Sequence, residues 1–222
     1  MIFGNPVWSA DGAQVFYSNR AGDKVYQKAA NNTGAEEVME IAAKYPVGSS
    51  RDGRFLFTAA VGNSRIWVVP LFGDRKPFPY PHTEFQESQP RLSPDSRWLA
   101  YTSDESKRKE IHVVSFPQPG GKWQISTEGG QSPAWSRDGR ELYYYSLDNK
   151  IMAVEIRPGA RFQFGAPKAL FGVPVSVRRG TGFEVSGDGR FLLPALVEPQ
   201  ATTPMTVVLN WYRMLKGTAG VP

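Results

Sequence analysis

Serine, aspartate and glycine stand together in one short phrase of this sequence, and these residue types can take part in chemistry. The clearest copy reads Ser136-Arg137-Asp138-Gly139. A serine near an aspartate is part of what a nucleophilic enzyme needs, and aspartates with glycines are part of what a calcium loop needs. The phrase recurs with substitutions, and its aspartates are Asp11, Asp52, Asp95, Asp138 and Asp188. Such recurrence favours a structural role over a catalytic one.

Nucleophilic catalysis would also require a base and an exposed serine, usually within Gly-x-Ser-x-Gly, and the sequence contains no such pentapeptide. Its two histidines are His82, in a proline-rich link, and His112, inside an apolar run. We predict that both are structural or surface residues. The glycine-rich loop, His-Arg-Asp and Asp-Phe-Gly motifs of kinases are also absent from the sequence. We therefore predict that the chain contains no catalytic residue. Any kinase or peptidase activity is expected to lie in a domain outside this chain.

Metal binding is not predicted either. Calcium loops place several carboxylates at alternating positions, whereas each phrase here carries one aspartate. A turn explains the phrase more simply, because aspartate bonds to nearby backbone N–H groups and glycine adopts a positive φ. The chain has no cysteine, which excludes disulfides and thiolate ligands. No metal or cofactor is expected, and Trp8 and Trp135 are predicted to pack between repeats rather than stack on a ligand.

Paired carboxylates near the starts of the repeats offer one further catalytic hypothesis. Five-bladed glycosidases place two or three carboxylates around a central channel. Among the segments that lead into the innermost strands, only Glu87 and Glu184 are acidic. They belong to the third and fifth repeats, which are not neighbours, so the sequence disfavours a glycosidase.

The spacing of the phrase indicates the elements that carry it. Successive aspartates lie 41, 43, 43 and 50 residues apart, a period typical of propeller blades with four strands each. Runs rich in Val, Ile, Tyr, Phe and Trp alternate with turns rich in Gly, Asp and Pro. The sequence therefore predicts an all-β fold, a β-propeller of about five four-stranded blades. The predicted blades lie near residues 5–40, 44–80, 87–127, 131–171 and 181–212, within a single domain at 1–215 and before a flexible tail at 216–222.

The first and last repeats are expected to be incomplete. The chain enters a repeat at Pro6, in what would be an innermost strand, and the fifth repeat shows three strand-like runs. We therefore expect a fragment of a six- to eight-bladed propeller. Open sheet edges in such a fragment would favour self-association.

The phrase Pro-x-Trp-Ser-x-Asp-Gly, followed by an aliphatic and aromatic strand, resembles the repeat of TolB-like, tryptophan-aspartate-like β-propellers across residues 5–211. Residues 71–77, 83–90, 117–126 and 207–211 are similar to C-terminal propellers of bacterial serine/threonine protein kinases. This resemblance implies a sensor or interaction region of a larger bacterial protein, in a periplasmic or extracytoplasmic location, although no signal peptide is visible. The alternative is an accessory propeller that gates substrates for a serine peptidase.

Composition narrows the range of partners. The net charge is +5 with a pI near 9.4, but the basic residues are dispersed rather than clustered with aromatic residues, so nucleic-acid binding is not predicted. No apolar run approaches the length of a membrane span. A protein or peptide partner is expected, bound by loops that interrupt the repeat. The candidate surface comprises Phe85, Gln86, Glu87, Ser88, Gln131, Ser132, Arg178 and Arg179.

Overall fold

The structure is a computed structural model, and it describes residues 6–19, 22, 24–39, 41, 45–59, 65–174 and 182–194. These residues form nineteen strands and no helix. None of them therefore provides a helix that could cross a membrane. The all-β expectation is confirmed. The part of the fifth predicted blade beyond residue 194 and the predicted tail at 216–222 lie outside the described residues.

Three sheets share one design, in which four antiparallel strands follow one another in chain order and each pairs with the next. Sheet 1 contains β1 (Val7–Trp8), β2 (Gln14–Ser18), β3 (Val25–Ala29) and β4 (Glu37–Met39). Sheet 2 contains β5 (Tyr45–Ser49), β6 (Phe55–Ala59), β7 (Ile66–Pro70) and β8 (Phe78–Pro79). Sheet 3 contains β9 (Glu87–Leu92), β10 (Trp98–Ser103), β11 (Glu110–Ser115) and β12 (Lys122–Gln124).

Sheet 4 has a divided outer edge. It contains β13 (Gly130–Trp135), β14 (Glu141–Ser146), β15 (Lys150–Arg157), β16 (Gln163–Phe164) and β17 (Lys168–Gly172). Both β16 and β17 pair with β15, at its two ends. Sheet 5 is described as a hairpin of β18 (Glu184–Val185) and β19 (Phe191–Leu192).

The repeated phrase forms the turn between the first two strands of each sheet. In sheet 4, Ser136 Oγ donates to Asp138 Oδ1 (2.7 Å), which also accepts a backbone N–H two residues further on. Ser136 Oγ accepts the backbone N–H of Glu141 (2.9 Å), and Gly139 adopts a φ of 73°, which costs glycine little. The hydrogen bond from Ser136 holds the pKa of the Asp138 carboxyl below its usual value. The phrase is therefore a turn, as the sequence predicts.

Neighbouring sheets pack face to face through apolar side chains. In β10, Leu99 and Tyr101 pack against sheet 2, whereas Ala100, between them, packs against sheet 4. Similar clusters join sheet 1 to sheet 2 and sheet 4 to sheet 5. Because sheets 2, 3 and 4 are covered on both faces, their strands need no polar side. This packing explains the imperfect apolar alternation in the sequence.

Candidate functional site

A cavity of about 450 Å³ lies where the first strands of all five described sheets converge. Its lining follows the sequence repeat. The residues two positions before the serine of each turn all line it, and they are Val7, Gly48, Arg91, Ala134 and Glu184. The residues one position before that serine also line it, and they are Trp8, Ser49, Leu92, Trp135 and Val185. The cavity is therefore the central space around which the sheets are arranged.

Arg91 is held in this cavity by contacts with three sheets. Its Nη1 donates to the carbonyl oxygens of Val47 (3.3 Å) and Pro90 (3.1 Å). Its Nη2 donates to Glu184 Oε1 at 3.4 Å, which forms an ion pair between sheets 3 and 5. Its own carbonyl oxygen accepts the indole N–H of Trp135 (2.9 Å). Arg91 is thus held both at its backbone and at its guanidinium, and its side chain remains 32% exposed.

A second arginine lines the cavity beside the Ser-x-Asp-Gly turns. Arg51, in the turn of sheet 2, donates through Nη1 to the carbonyl oxygen of Arg137 in the turn of sheet 4 (3.0 Å). This contact spans 86 residues of sequence and joins the turns of two sheets that are not consecutive in the chain. Among the residues that the structure describes, the lining therefore contains two guanidinium groups and one carboxylate, that of Glu184.

Two tryptophans at equivalent repeat positions have different environments. Trp135 is 8% exposed and packs in the core between sheets 3 and 4, as the sequence predicts. Trp8 is 58% exposed, so its predicted role in packing between repeats is wrong. The physical reason lies in sheet order. Trp135 packs against sheet 3, the sheet before its own. Trp8 belongs to sheet 1, and the described residues form no sheet before it in the chain.

Polar side chains join sheets 3 and 4 beside the cavity. Gln89 Oε1 accepts the backbone N–H of Ser132 (2.9 Å) and the hydroxyl of Thr102 (2.9 Å). Gln89 Nε2 donates to Ser132 Oγ (2.8 Å). Both Gln89 and Ser132 lie at strand bulges with positive φ, 56° and 55°. The hydrogen bonds between Gln89 and Ser132 therefore stabilise the positive-φ backbone conformation of both residues, which is costly for residues other than glycine.

The predicted binding residues do not form one exposed surface. Phe85 is 40% exposed, and Gln86 is also exposed, with its backbone N–H bonded to Asp104 Oδ1 (2.9 Å). Ser88 is half-buried. The expectation of exposure fails for three further residues, since Glu87, Gln131 and Ser132 are 2%, 9% and 4% exposed. Arg178 and Arg179 lie outside the described residues.

Glu87 is the first residue of β9 in sheet 3, and its side chain is buried beside Thr83, in the link from sheet 2. Its Oε1 accepts a hydrogen bond from the hydroxyl of Thr83, and its Oε2 has no hydrogen-bond partner among the residues that the structure describes. Burial raises the pKa of the Glu87 carboxyl to about 7. The neighbouring Tyr101 and His112 rings are stacked with centroids 5.8 Å apart. Burial, the largest cause, lowers the pKa of His112, so this histidine is a neutral core residue, as the sequence predicts.

The carboxylates of the glycosidase hypothesis have separate surroundings. Glu184 lines the cavity and pairs with Arg91, whereas Glu87 is absent from the cavity lining and bonds to Thr83. Within the part of the chain that the structure describes, no group of three or more His, Asp or Glu residues could hold a metal ion. The described lining of the cavity offers hydrogen-bond donors, one carboxylate and apolar surface.

No protein-family model matches the sequence, and no curated protein matches it either. Solved structures do resemble it. TolB from Acinetobacter baumannii matches with a TM-score of 0.57 and 20% identity, covering 87% of this chain and 54% of that protein. The β-propeller domain of Cps50 (Swd1) from Myceliophteria thermophila matches with a TM-score of 0.55 and 10% identity, covering 75% of this chain and 59% of that domain.

These similarities confirm the fold class. The chain is an all-β protein whose four-stranded antiparallel sheets are arranged as the blades of a β-propeller. At such low identity the likeness establishes the fold and leaves activity open. The chain spans about half the length of the TolB structure that it matches.

Proposed function

We propose that this chain is a non-catalytic β-propeller module that recognises a peptide, or an extended segment of a protein, in its central cavity. The observation that carries the proposal is the lining of that cavity. An exposed tryptophan, Trp8, and a partly exposed arginine, Arg91, lie among prolines and small residues. Such a combination offers apolar contact area together with directed hydrogen-bond donors.

Several physical features support recognition. Tryptophan and arginine are enriched among the residues that dominate binding energy at protein interfaces. The cavity volume of about 450 Å³ falls within the range of ligand sites. The sheets that surround it are joined by buried apolar clusters, so the lining is largely preformed and a ligand need not order it.

Two features favour binding over catalysis. The serine hydroxyls of the repeated turns are already engaged with their aspartates, as Ser50 is with Asp52 (2.5 Å) and Ser93 with Asp95 (2.6 Å). Neither histidine lines the cavity, since His112 is buried between sheets and His82 lies in a link. Among the described residues, the cavity lining therefore offers no histidine base, and its one carboxylate, that of Glu184, is paired with Arg91.

Peptide selection tests this function. Random dodecapeptides displayed on phage would be selected against the immobilised 222-residue chain, and enriched sequences synthesised for fluorescence anisotropy. We expect the Trp8→Ala variant to weaken binding by about tenfold or more, because truncating a central tryptophan removes a large contact area. Binding of the same peptides to Leu192→Ala should be unchanged, since Leu192 is 72% exposed and lies outside the cavity lining.

Two results would count against the function. One is the absence of any enriched peptide. The other is equal affinity of enriched peptides for the wild-type chain and for Trp8→Ala. Circular dichroism and thermal melting of each variant would establish that it is folded before its affinity is compared.

The finer role that we propose is the sensor or interaction region of a larger bacterial, kinase-linked protein. The similarity of residues 71–77, 83–90 and 117–126 to propellers of bacterial serine/threonine kinases supports it. The alternative is a substrate-gating propeller of a serine peptidase. Sequencing the coding region on both sides of this chain distinguishes them, since a kinase domain, a hydrolase domain or neither would be found.

A further inference from the structure

The described lining of the central cavity carries more positive than negative groups, and this excess indicates the charge of the ligand that it would bind. The five residues two positions before the turn serines form one layer of the lining. In this layer Val7, Gly48 and Ala134 are uncharged, while Arg91 and Glu184 carry opposite charges. Arg51 adds a second positive charge to the lining. The described lining therefore has a net positive charge when Arg51, Arg91 and Glu184 are ionised.

Arg91 has unused capacity to donate hydrogen bonds. A guanidinium has five N–H donors in a planar fork. Within the described part of the chain, three of those on Arg91 are used, by Val47, Pro90 and Glu184. The two carbonyl oxygens fix the plane of the group, so the remaining donors point in set directions. A carboxylate is the ligand whose geometry matches such a fork, because it can accept two parallel N–H bonds.

Glu184 binds Arg91 only weakly. The Nη2 to Oε1 distance is 3.4 Å, longer than the range of about 2.7–2.9 Å usual for charge-assisted hydrogen bonds. The side chain of Glu184 is 73% exposed, whereas that of Arg91 is 32% exposed. Ion pairs this exposed contribute little free energy, so an incoming carboxylate could replace Glu184 at small cost.

We propose that the cavity selects ligands that carry a carboxylate, which binds Arg91 in place of Glu184. This inference rests on the proposed function, because it names the chemistry of the recognised peptide. The peptide is then acidic, either through an Asp or Glu side chain or through its C-terminal carboxylate. The ligand's carboxylate accepts N–H bonds from Arg91, while its apolar side chains contact Trp8 and Leu92. Glu184 competes with neutral segments for Arg91, while the positive charges of Arg91 and Arg51 disfavour basic segments.

Peptide pools of fixed charge test the inference. Three fluorescein-labelled pools of random octapeptides, with blocked C-termini, would be identical except for Asp, Asn or Lys at a central position. A fourth would combine central Asn with a free C-terminal carboxylate, which separates the two sources of the acid. Each is titrated with the 222-residue chain at physiological ionic strength. We expect the Asp pool, the free-carboxylate pool or both to bind about tenfold more tightly than the blocked Asn and Lys pools.

Variants identify the residues responsible. Arg91→Gln should remove most of the preference for acidic pools, while Arg140→Gln, which changes an exposed arginine outside the cavity lining, should leave it intact. Since Arg91 also bonds two carbonyl oxygens, a loss of stability could obscure the result. Glu184→Gln avoids this difficulty because Glu184 is largely exposed, and it should tighten binding of acidic pools by about threefold.

Each outcome bears on a separate claim. Equal binding of all four pools, lost in Trp8→Ala, would refute the carboxylate inference and retain the proposed recognition. Equal binding of the acidic pools to wild type, Arg91→Gln and Glu184→Gln would also refute it, because residues other than Arg91 and Glu184 would then bind the ligand's carboxylate. If no pool binds at all, both the inference and the proposed function fail.

Discussion

Replacement of Gln89 by alanine should destabilise the junction between blades 3 and 4. The amide of Gln89 makes three hydrogen bonds to Thr102 and Ser132, and both partners are almost fully buried. Alanine provides neither donor nor acceptor, so the backbone N–H of Ser132 loses the Gln89 acceptor.

The magnitude follows from these three bonds. Each contributes about 1 kcal/mol net, with a larger cost where a buried group stays unpaired, so Gln89→Ala should lower the free energy of unfolding by about 3 kcal/mol. For a domain of this size the melting temperature should fall by about 6–12 °C. Gln89→Gly should be about 1 kcal/mol less damaging than alanine, because glycine adopts the φ of 56° found at this position without steric cost.

Urea denaturation followed by circular dichroism, together with thermal melting, measures both changes. Gln163→Ala is the matched control, since Gln163 is an exposed glutamine in β16, and it should change the free energy of unfolding by less than about 0.5 kcal/mol. The reasoning is refuted if Gln89→Ala behaves like this control, or if Gln89→Gly is no more stable than Gln89→Ala.

Two further predictions concern a buried carboxyl group and the repeated turn. Because burial raises the pKa of Glu87 to about 7, above its unfolded value of about 4.3, the folded chain retains a proton that the unfolded chain releases. The stability contributed by this group is therefore fully present below about pH 4 and is lost as the pH rises through 7. Glutamine has no such titration, so the free energy of unfolding of Glu87→Gln should rise relative to that of wild type by on the order of 2 kcal/mol from pH 5 to pH 8. Urea midpoints across that range measure the difference, and a constant gap would contradict it. Ser136→Ala removes the hydroxyl that bonds Asp138 and the N–H of Glu141, and it should cost about 1–2 kcal/mol. Thr127→Ala, at an exposed position, should cost much less, and equal midpoints for the two variants would show that the turn does not depend on the serine.

Local sequence was sufficient to predict the strands and turns. The phrase around Asp138 contains the residues that bond within the turn, so its conformation depends on neighbours no more than five residues away. The β-branched and aromatic runs likewise indicated the strands β2 and β10. The two-residue β16 was missed, because Gln163–Phe164 is too short for periodicity to reveal.

Burial and partnership could not be predicted in the same way. The sequence predicts an exposed Glu87 at the entry to a strand, whereas the structure buries its carboxyl beside Thr83. No motif in the sequence marks Arg91 as a cavity residue. Its partner Glu184 lies 93 residues further along the chain, and no local pattern links the two residues.

The sequence by itself determined the repeat, the all-β class and the role of the Ser-x-Asp-Gly turn, because these depend on short-range hydrogen bonds and strand propensity. Tertiary structure decided which repeat positions become a site. Trp8 and Trp135 occupy the same place in their phrases, yet one is exposed in the cavity and the other is buried between sheets. The difference arises because a side chain's environment is set by the neighbouring sheets, whose residues come from repeats about 40 residues away in sequence.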